Sequence, residues 1–536
     1  MTAAVTAIKK SSHAAIAALL LAAVTFCSEV AGAATLRWAH DEDVFSLDPY
    51  ARQETFLLSF LSNIYEPLVR RGRNLQLQPA LAVHWVEVAP DRWRFDLRRG
   101  VRFQDGTPFT ADDVVFSFAR VSGPNSSLAH ALAPIRDVTK LDDFTIEIRT
   151  NEPDPILPEE ITSWGIMSAH WCAENDAEQP GDALKGEETY ATNHANGTGP
   201  FMLDRRKPDV ETALVPNPHW WDKPEHDLDR VVFRPMPAKA AVAAFLAGNL
   251  DMLYTVPPDA TDRIARTAGV YLVHGPELRT IFLGMNAASD ELTESSVKGR
   301  NPFRDKRVRR AFYQAIDENT ITTKVMRGFA TPAGLLVGPG VVGFDAALND
   351  RLPYDPAEAK ALLAEAGYPN GFTASMDCPN DRYLNDEAIC SSIVAMLAKI
   401  GVKLHLNADS RGKFFAKLLL PEYRSSFYLL GWASSTYDAL SALVNLAATR
   451  SKEAHRGDAN FAGYSNPKVD ALIADAGHEP NEAKRVDLLR EALALVKDDI
   501  AYIPLHQQQV VWAARNNVQL VQQADGFFPL RYVRMK

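Results

Sequence analysis

The chain has 536 residues, 46% hydrophobic and 23% charged, and its 67 acidic against 57 basic side chains leave a formal charge of −10. That length exceeds what one hydrophobic core organises, so a multi-lobed globule is expected, and the composition excludes disordered and fibrous classes. An acidic surface argues against nucleic acid as a partner.

The first elements in chain order are targeting signals. Lys9 and Lys10 precede an uncharged run from Ala14 to Phe26, followed by the small residues Ala31, Gly32, Ala33 and Ala34. Residues 1–33 therefore read as a secretory signal peptide, leaving an exported, soluble protein of formal charge −11, since two lysines and Glu29 depart together. The apolar run is about half the ~20 residues of a spanning helix. Phe26 stands where a lipobox needs Gly, Ala or Ser, so Cys27 is not expected to carry lipid. Cys172, Cys378 and Cys390 remain after cleavage. Cys378 and Cys390 fit either a local disulfide or two small buried residues, and Cys172 reads as free and structural.

Trp93, Phe95 and Leu97 alternate, as do Phe144, Ile146 and Ile148, each set on one face of a strand. Thr110-Ala-Asp-Asp113 spells a capping box ahead of Val114, Val115 and Phe118, so Asp112 and Asp113 read as first-turn helix residues, not a catalytic carboxylate pair. Ala238 to Ala247 reads as an Ala-rich helix closed by Gly248 and followed by the strand-like Asn249 to Leu253. Asp355-Pro356 opens a helix that Gly367 closes, with a strand near Phe372 to Met376. Ile389, Ile393, Met396, Leu397 and Ile400 lie at helical spacing, Gly401 stops that helix, and Val402, Leu404 and Leu406 alternate. This succession predicts α/β lobes with mixed sheets covered by helices.

Hydrolase and nucleotide-binding machinery is missing: there is no Gly-x-Ser-x-Gly elbow, His-Glu-x-x-His or phosphate-binding loop. His219 and His226 flank Trp220 and Trp221, but no Cys or third His at ligand spacing supports a metal or haem site, so they read as surface histidines near a Pro-rich turn. Gly338-Pro339-Gly340 reads as a loop. No catalytic residue, metal or cofactor is expected.

Tyr65-Glu-Pro-Leu68, Val101-Arg-Phe-Gln-Asp-Gly-Thr-Pro-Phe-Thr-Ala-Asp-Asp-Val114, Gly197-Thr-Gly-Pro-Phe201, Asn301-Pro-Phe-Arg-Asp-Lys-Arg-Val-Arg309, Tyr354-Asp-Pro-Ala-Glu-Ala-Lys360, Gly431-Trp432 and Tyr464-Ser-Asn-Pro467 follow one another along the chain. In this order they resemble the extracellular solute-binding proteins, family 5, that serve dipeptide, oligopeptide and nickel ABC importers, over about residues 35 to 533. The resemblance implies a two-lobed periplasmic binding protein fold of type II with an extra N-terminal subdomain. Lobe I would span 34–285, including that subdomain at about 76–195. Lobe II would span 286–502, and 503–536 would return to lobe I. The two hinge crossings are expected near Met285-Asn286 and Ile503-Pro504.

The resemblance further implies a non-enzymatic, monomeric periplasmic receptor. It would take a small-molecule or short-peptide ligand and deliver it to ABC permease subunits in the inner membrane. Asp438, six residues after Trp432, matches the Asp that meets the peptide amine in relatives, and Arg382 the Arg that grips its carboxylate. The alternatives are a helix cap for Asp438 and a surface arginine for Arg382. Gly431, Trp432, Tyr383 and Tyr437 are candidate cleft walls, and Phe45, Ser46 and Leu47 occupy a segment that reaches the cleft in relatives. Ser434-Ser-Thr-Tyr437 replaces the Gly- and Asp-rich linker usual in dipeptide binders, which leaves ligand length open. Opines, glycosides, nickel chelates and haem are the alternative solutes, and a secreted hydrolase is the rival of another class.

Overall fold

A computed structural model describes residues 34–536, apart from 184, 420–424, 435 and 452–455. The expected signal peptide and Cys27 lie outside the described residues. Among the described residues, no helix is long and apolar enough to cross a membrane.

The local signals fold as their chemistry dictates. The Thr110 hydroxyl accepts from the Asp112 N–H at 3.3 Å while the Asp113 carboxylate accepts from the Thr110 N–H at 2.8 Å, closing the capping box on helix Ala111–Val121. Asp355 accepts from the Ala357 and Glu358 N–H groups at the start of helix Pro356–Glu365. Gly367 and Gly401 each take a φ of 89°, a conformation open to glycine at low cost where helices end.

One mixed eleven-stranded sheet runs through both lobes. Its lobe II end is Lys403–Asp409, Thr373–Pro379 and Phe427–Ala433, and its lobe I end is Met252–Leu253, Thr35–His40, Arg230–Pro235, Glu211–Pro216 and Phe201–Lys207. Between them lie two long antiparallel strands, Val270–Met285 and Tyr502–Arg515. Strand Phe427–Ala433 and the end of Val270–Met285 beside it are apolar without alternation because both faces are covered. Ile281, Leu283, Phe427 and Leu429 enter one core, while Phe282, Tyr428 and Leu430 enter the other. A separate four-stranded antiparallel sheet (Ala82–Ala89, Arg92–Leu97, Thr145–Thr150, Ile135–Asp142) builds the extra subdomain. The chain end packs back on lobe I, where the Asn63 amide donates to the Phe528 carbonyl and accepts from the Leu530 N–H.

The long ladder is interrupted. Pro276 pairs with Gln509 and Thr280 with Gln507, so Glu277, Leu278 and Arg279 bulge opposite Gln508 alone, and the register shifts again between Ile281 and Phe282, opposite His506 and Pro504. Pro504 has no N–H to donate, which accounts for an irregularity there. The first interruption falls earlier than the expected crossing at Met285-Asn286, because pairing with Phe427–Ala433 runs unbroken through Met285 and Asn286 continues it by bonding to Ser426.

Cys378 and Cys390 are joined as a disulfide, tying the end of strand Thr373–Pro379 to helix Asp386–Ala398 across the loop that carries Arg382 and Tyr383. Cys172 is free and buried, and burial pushes its thiol up to about 12, fitting a structural role. Breaking the disulfide in a Cys378→Ala/Cys390→Ala variant is expected to cost about 2–3 kcal/mol, the range for a short closed loop. Urea unfolding checks this, and a midpoint equal to wild type would show that the bridge does not stabilise the fold.

Candidate ligand-binding cleft

The bulge turns Glu277, Leu278 and Arg279 into a cavity of about 800 Å³ between the lobes. Lobe I contributes the helix Thr55–Leu61, the Tyr65-Glu-Pro-Leu68 segment and the C-terminal return. Lobe II contributes the 380–385 loop, the end of strand Phe427–Ala433 and the loop before Tyr464. Contacts cross from lobe to lobe around it. Arg71 donates to the Thr436 carbonyl at 3.1 Å and stands over the Tyr437 ring at 4.2 Å, the Tyr437 hydroxyl donates to Asp525, and Arg411 pairs with Glu42 at 3.3 Å. The lobes are therefore drawn together over the cavity.

Five carboxylates and five guanidinium groups line it, and most neutralise one another. Glu66 accepts from Thr198 (3.0 Å), Trp220 (3.2 Å) and Trp221 (2.7 Å) and faces Arg70 at 3.6 Å. Burial pushes its carboxyl up, an effect that Arg70 and the indole donors partly offset. Glu277 is held by Arg279 at 3.0 Å and Gln508 at 2.5 Å, Glu54 by Arg52 and Arg411, and Asp525 by Tyr437 and the Phe527 N–H. Arg70 also pairs with Asp222 at 2.5 Å, and Arg531 donates to the Arg71 carbonyl. Two groups stand apart. Arg382 is exposed in the cleft with only the Tyr383 ring beside its guanidinium, and Asp458 is exposed with no ion pair or side-chain hydrogen bond among the described residues.

Of the residues expected from sequence, Arg382, Tyr383, Gly431, Trp432 and Tyr437 line the cavity. The Arg382 loop is fixed by the disulfide and by Asp386, whose carboxylate accepts the Arg382 and Tyr383 N–H groups, each at 3.0 Å. Gly431 is required by close approach: a Cβ there would stand 2.8 Å from the Ile281 side chain and 2.9 Å from the Tyr383 ring. Tyr437 holds a φ of 62°, an uncommon conformation for a side-chain-bearing residue, anchored by Asp525 and Arg71.

Asp438 lies elsewhere. It is 2% exposed, does not line the cavity, caps helix Ala439–Ala442 through the Leu440 N–H, and accepts from Arg485 at 2.7 Å. Ser46 and Leu47 are buried in lobe I, Ser46 accepting from the Asp48 N–H and Leu47 packed in the core, so neither reaches the cavity. Phe45 lies under Arg52 at 4.3 Å and also does not line it. Of the two histidines, His219 is exposed but His226 is half-buried against Phe201 at 4.6 Å. The neighbouring tryptophans serve Glu66. Sequence reasoning missed Glu66, whose only signal was a place in Tyr65-Glu-Pro-Leu68, and it missed Asp458.

Beside the cleft, a second cluster bridges the lobes. Asp154, Glu159 and Glu160 of lobe I face Arg485, Asp438 and His478 of lobe II, and Glu152 pairs with His478 at 3.0 Å. One oxygen of Asp154 is buried without a hydrogen bond. Burial, then the adjacent Asp154, pushes the Glu160 carboxyl well above the usual carboxylate range, so this pair holds a proton more readily than free carboxylates do.

Two α/β lobes strung on one sheet, with a polar and aromatic cavity between them, define a two-lobed solute-binding protein. The chain belongs to the bacterial extracellular solute-binding proteins, family 5, whose middle region matches residues 76–454. It is 26% identical over 487 residues to the glutathione-binding protein GsiB of Salmonella choleraesuis (strain SC-B67), covering 88% of this chain and 89% of that one. It is 29% identical over 471 residues to heme-binding protein A of Haemophilus influenzae, covering 82% and 81%. The fold matches that of the ABC transporter-associated periplasmic binding protein DppA of Helicobacter pylori, solved in complex with peptide STSA. There the TM-score is 0.76 at 23% identity, over 94% of this chain and 98% of that one. Members of the family are binding proteins rather than enzymes, and this protein is the substrate-binding component of an ABC importer.

Asp438→Ala is expected to cost about 3–5 kcal/mol, because it strands the buried Arg485 guanidinium. Urea unfolding tests this, and a loss below about 1 kcal/mol, the range of an exposed pair, would contradict it. Glu160 adds a pH dependence. A carboxyl raised on folding binds its proton more tightly in the folded state, so it lowers stability as pH rises from the unfolded pKa through the folded one. Glu160→Gln should therefore melt higher than wild type at neutral pH, with the gap closing as the medium is acidified towards the ordinary carboxylate range. A gap that widens on acidification would reverse the assignment.

Proposed function

We propose that this protein is exported to the periplasm, captures a short peptide or peptide-like solute between its lobes as a monomer, and hands it to inner-membrane permease subunits without turning it over. Arg382 carries the reading. It is a guanidinium in a cleft whose other arginines are committed to protein partners, borne on a loop fixed by a disulfide and by Asp386. A planar fork left without a carboxylate suits the carboxylate of a ligand. A volume of about 800 Å³ falls in the range of small-ligand sites, with Trp432 and Tyr383 as aromatic walls. The names of relatives lean the same way: GsiB is described as binding glutathione, itself a tripeptide, and H. pylori DppA was solved with a peptide. In this reading the lobes turn about the interrupted stretches at 277–279 and 504–508, ligand favours the closed form because only there do both lobes touch it, and Asp438 braces the cleft wall.

A thermal-shift screen over glutathione, di- to tetrapeptides, opines, nickel chelates and haem is expected to show stabilisation by peptides, since ligand at about 100 times its dissociation constant adds about 2.7 kcal/mol. Arg382→Ala should weaken the best peptide about tenfold or more in calorimetry. Stabilisation by haem alone, as the H. influenzae relative's name would suggest, would overturn the reading.

A further inference from the structure

We infer that Asp458 is the residue that receives the ligand's ammonium group and so selects solutes with a free amine. The inference rests on the peptide reading above. A carboxylate can meet an incoming ammonium only if the protein has not already spent it, and the cleft applies that test to each of its acids. Glu66 is occupied by a hydroxyl and two indoles, Glu277 by Arg279 and Gln508, Glu54 by arginines, and Asp525 by Tyr437 and a backbone N–H. Asp438 is outside the cavity and bound to Arg485. Asp458 remains, with no partner among the described residues.

Its backbone is held while its side chain is free. The Gly457 N–H donates to Val444 at 2.8 Å and the Ala459 N–H to Asn445 at 3.1 Å, fixing the turn on both sides of Asp458 to the segment Leu443–Ala447. Gly457 has a φ of 70° and sits so close to that segment's end that a Cβ there would stand 2.8 Å from the Ala448 carbonyl oxygen. Asn460 locks the next position through the Ala448 and Tyr464 carbonyls. A carboxylate on a rigid turn, free at its tip, gives up little order when it pairs with a ligand. Among the described residues, Asp458 and Arg382 are the two unpaired opposite charges of the cleft, the pair that a zwitterionic ligand needs.

The test uses two pools made from one protein digest, untreated and acetylated at its amines. Each is passed over immobilised full-length wild type and Asp458→Asn, with captured peptides quantified by mass spectrometry. Wild type should capture from the untreated pool and lose about tenfold or more on acetylation, and Asp458→Asn should capture the untreated pool no better than the acetylated one. Equal capture of both pools by wild type, or unchanged amine preference in Asp458→Asn, overturns the assignment while leaving the peptide reading intact. No capture from either pool by wild type removes the peptide reading and the assignment with it. Thermal unfolding of Asp458→Asn should match wild type, because the carboxylate has no partner to lose.

Discussion

The antiparallel ladder between Val270–Met285 and Tyr502–Arg515 fixes how the two halves of the molecule relate. Strands of lobe II extend the sheet from one side of it and strands of lobe I from the other. A regular ladder of that length would be a stiff twisted ribbon. The three-residue bulge opposite Gln508 and the second slip beside Pro504 break the regularity where the halves meet. The same bulge turns Glu277, Leu278 and Arg279 toward the cavity, so one irregularity both bends the scaffold and furnishes the site.

Burial accounts for much of the cleft's chemistry. An unpaired charge taken out of water is costly, and most charged groups here are matched by neighbours that the fold brings from far along the chain. Glu66 meets Thr198 at a separation of 132 residues and Trp221 at 155. Two distant segments of lobe I, at Thr198 and at Trp220–Trp221, are thereby tied to one carboxylate. Arg382 and Asp458 keep contact with solvent inside the cleft, and among its described charged groups they are the two left without an ion pair or side-chain hydrogen bond.

The cluster of Asp154, Glu159 and Glu160 opposite Arg485 obeys the same electrostatics with a different outcome. Acidic groups exceed the cations able to answer them, and burial, with the like charges beside them, raises their hold on a proton. Asp438 belongs to this network as well as to a helix start, which explains how a residue adjacent to a cleft wall can be withdrawn from the cleft.

Some of this was legible in the sequence because it depends on residues a few positions apart. Thr110 with Asp113, Asp355 with Glu358, the glycines at 367 and 401, and the alternation of Leu404 and Leu406 declare themselves through hydrogen bonds and periodicities of one or two turns. The order of motifs along the chain marked the two-lobed family, and Arg382, Tyr383, Gly431, Trp432 and Tyr437 could be placed in the cleft from it. What only the tertiary structure decided was the partner of each charge. Asp438 and Asp458 look alike as letters, and what separates them is Arg485, 47 residues from the first and absent from the surroundings of the second. Local sequence specifies which groups can ionise and which turns hold them, whereas long-range packing determines which of those charges is already answered and which is left for a ligand.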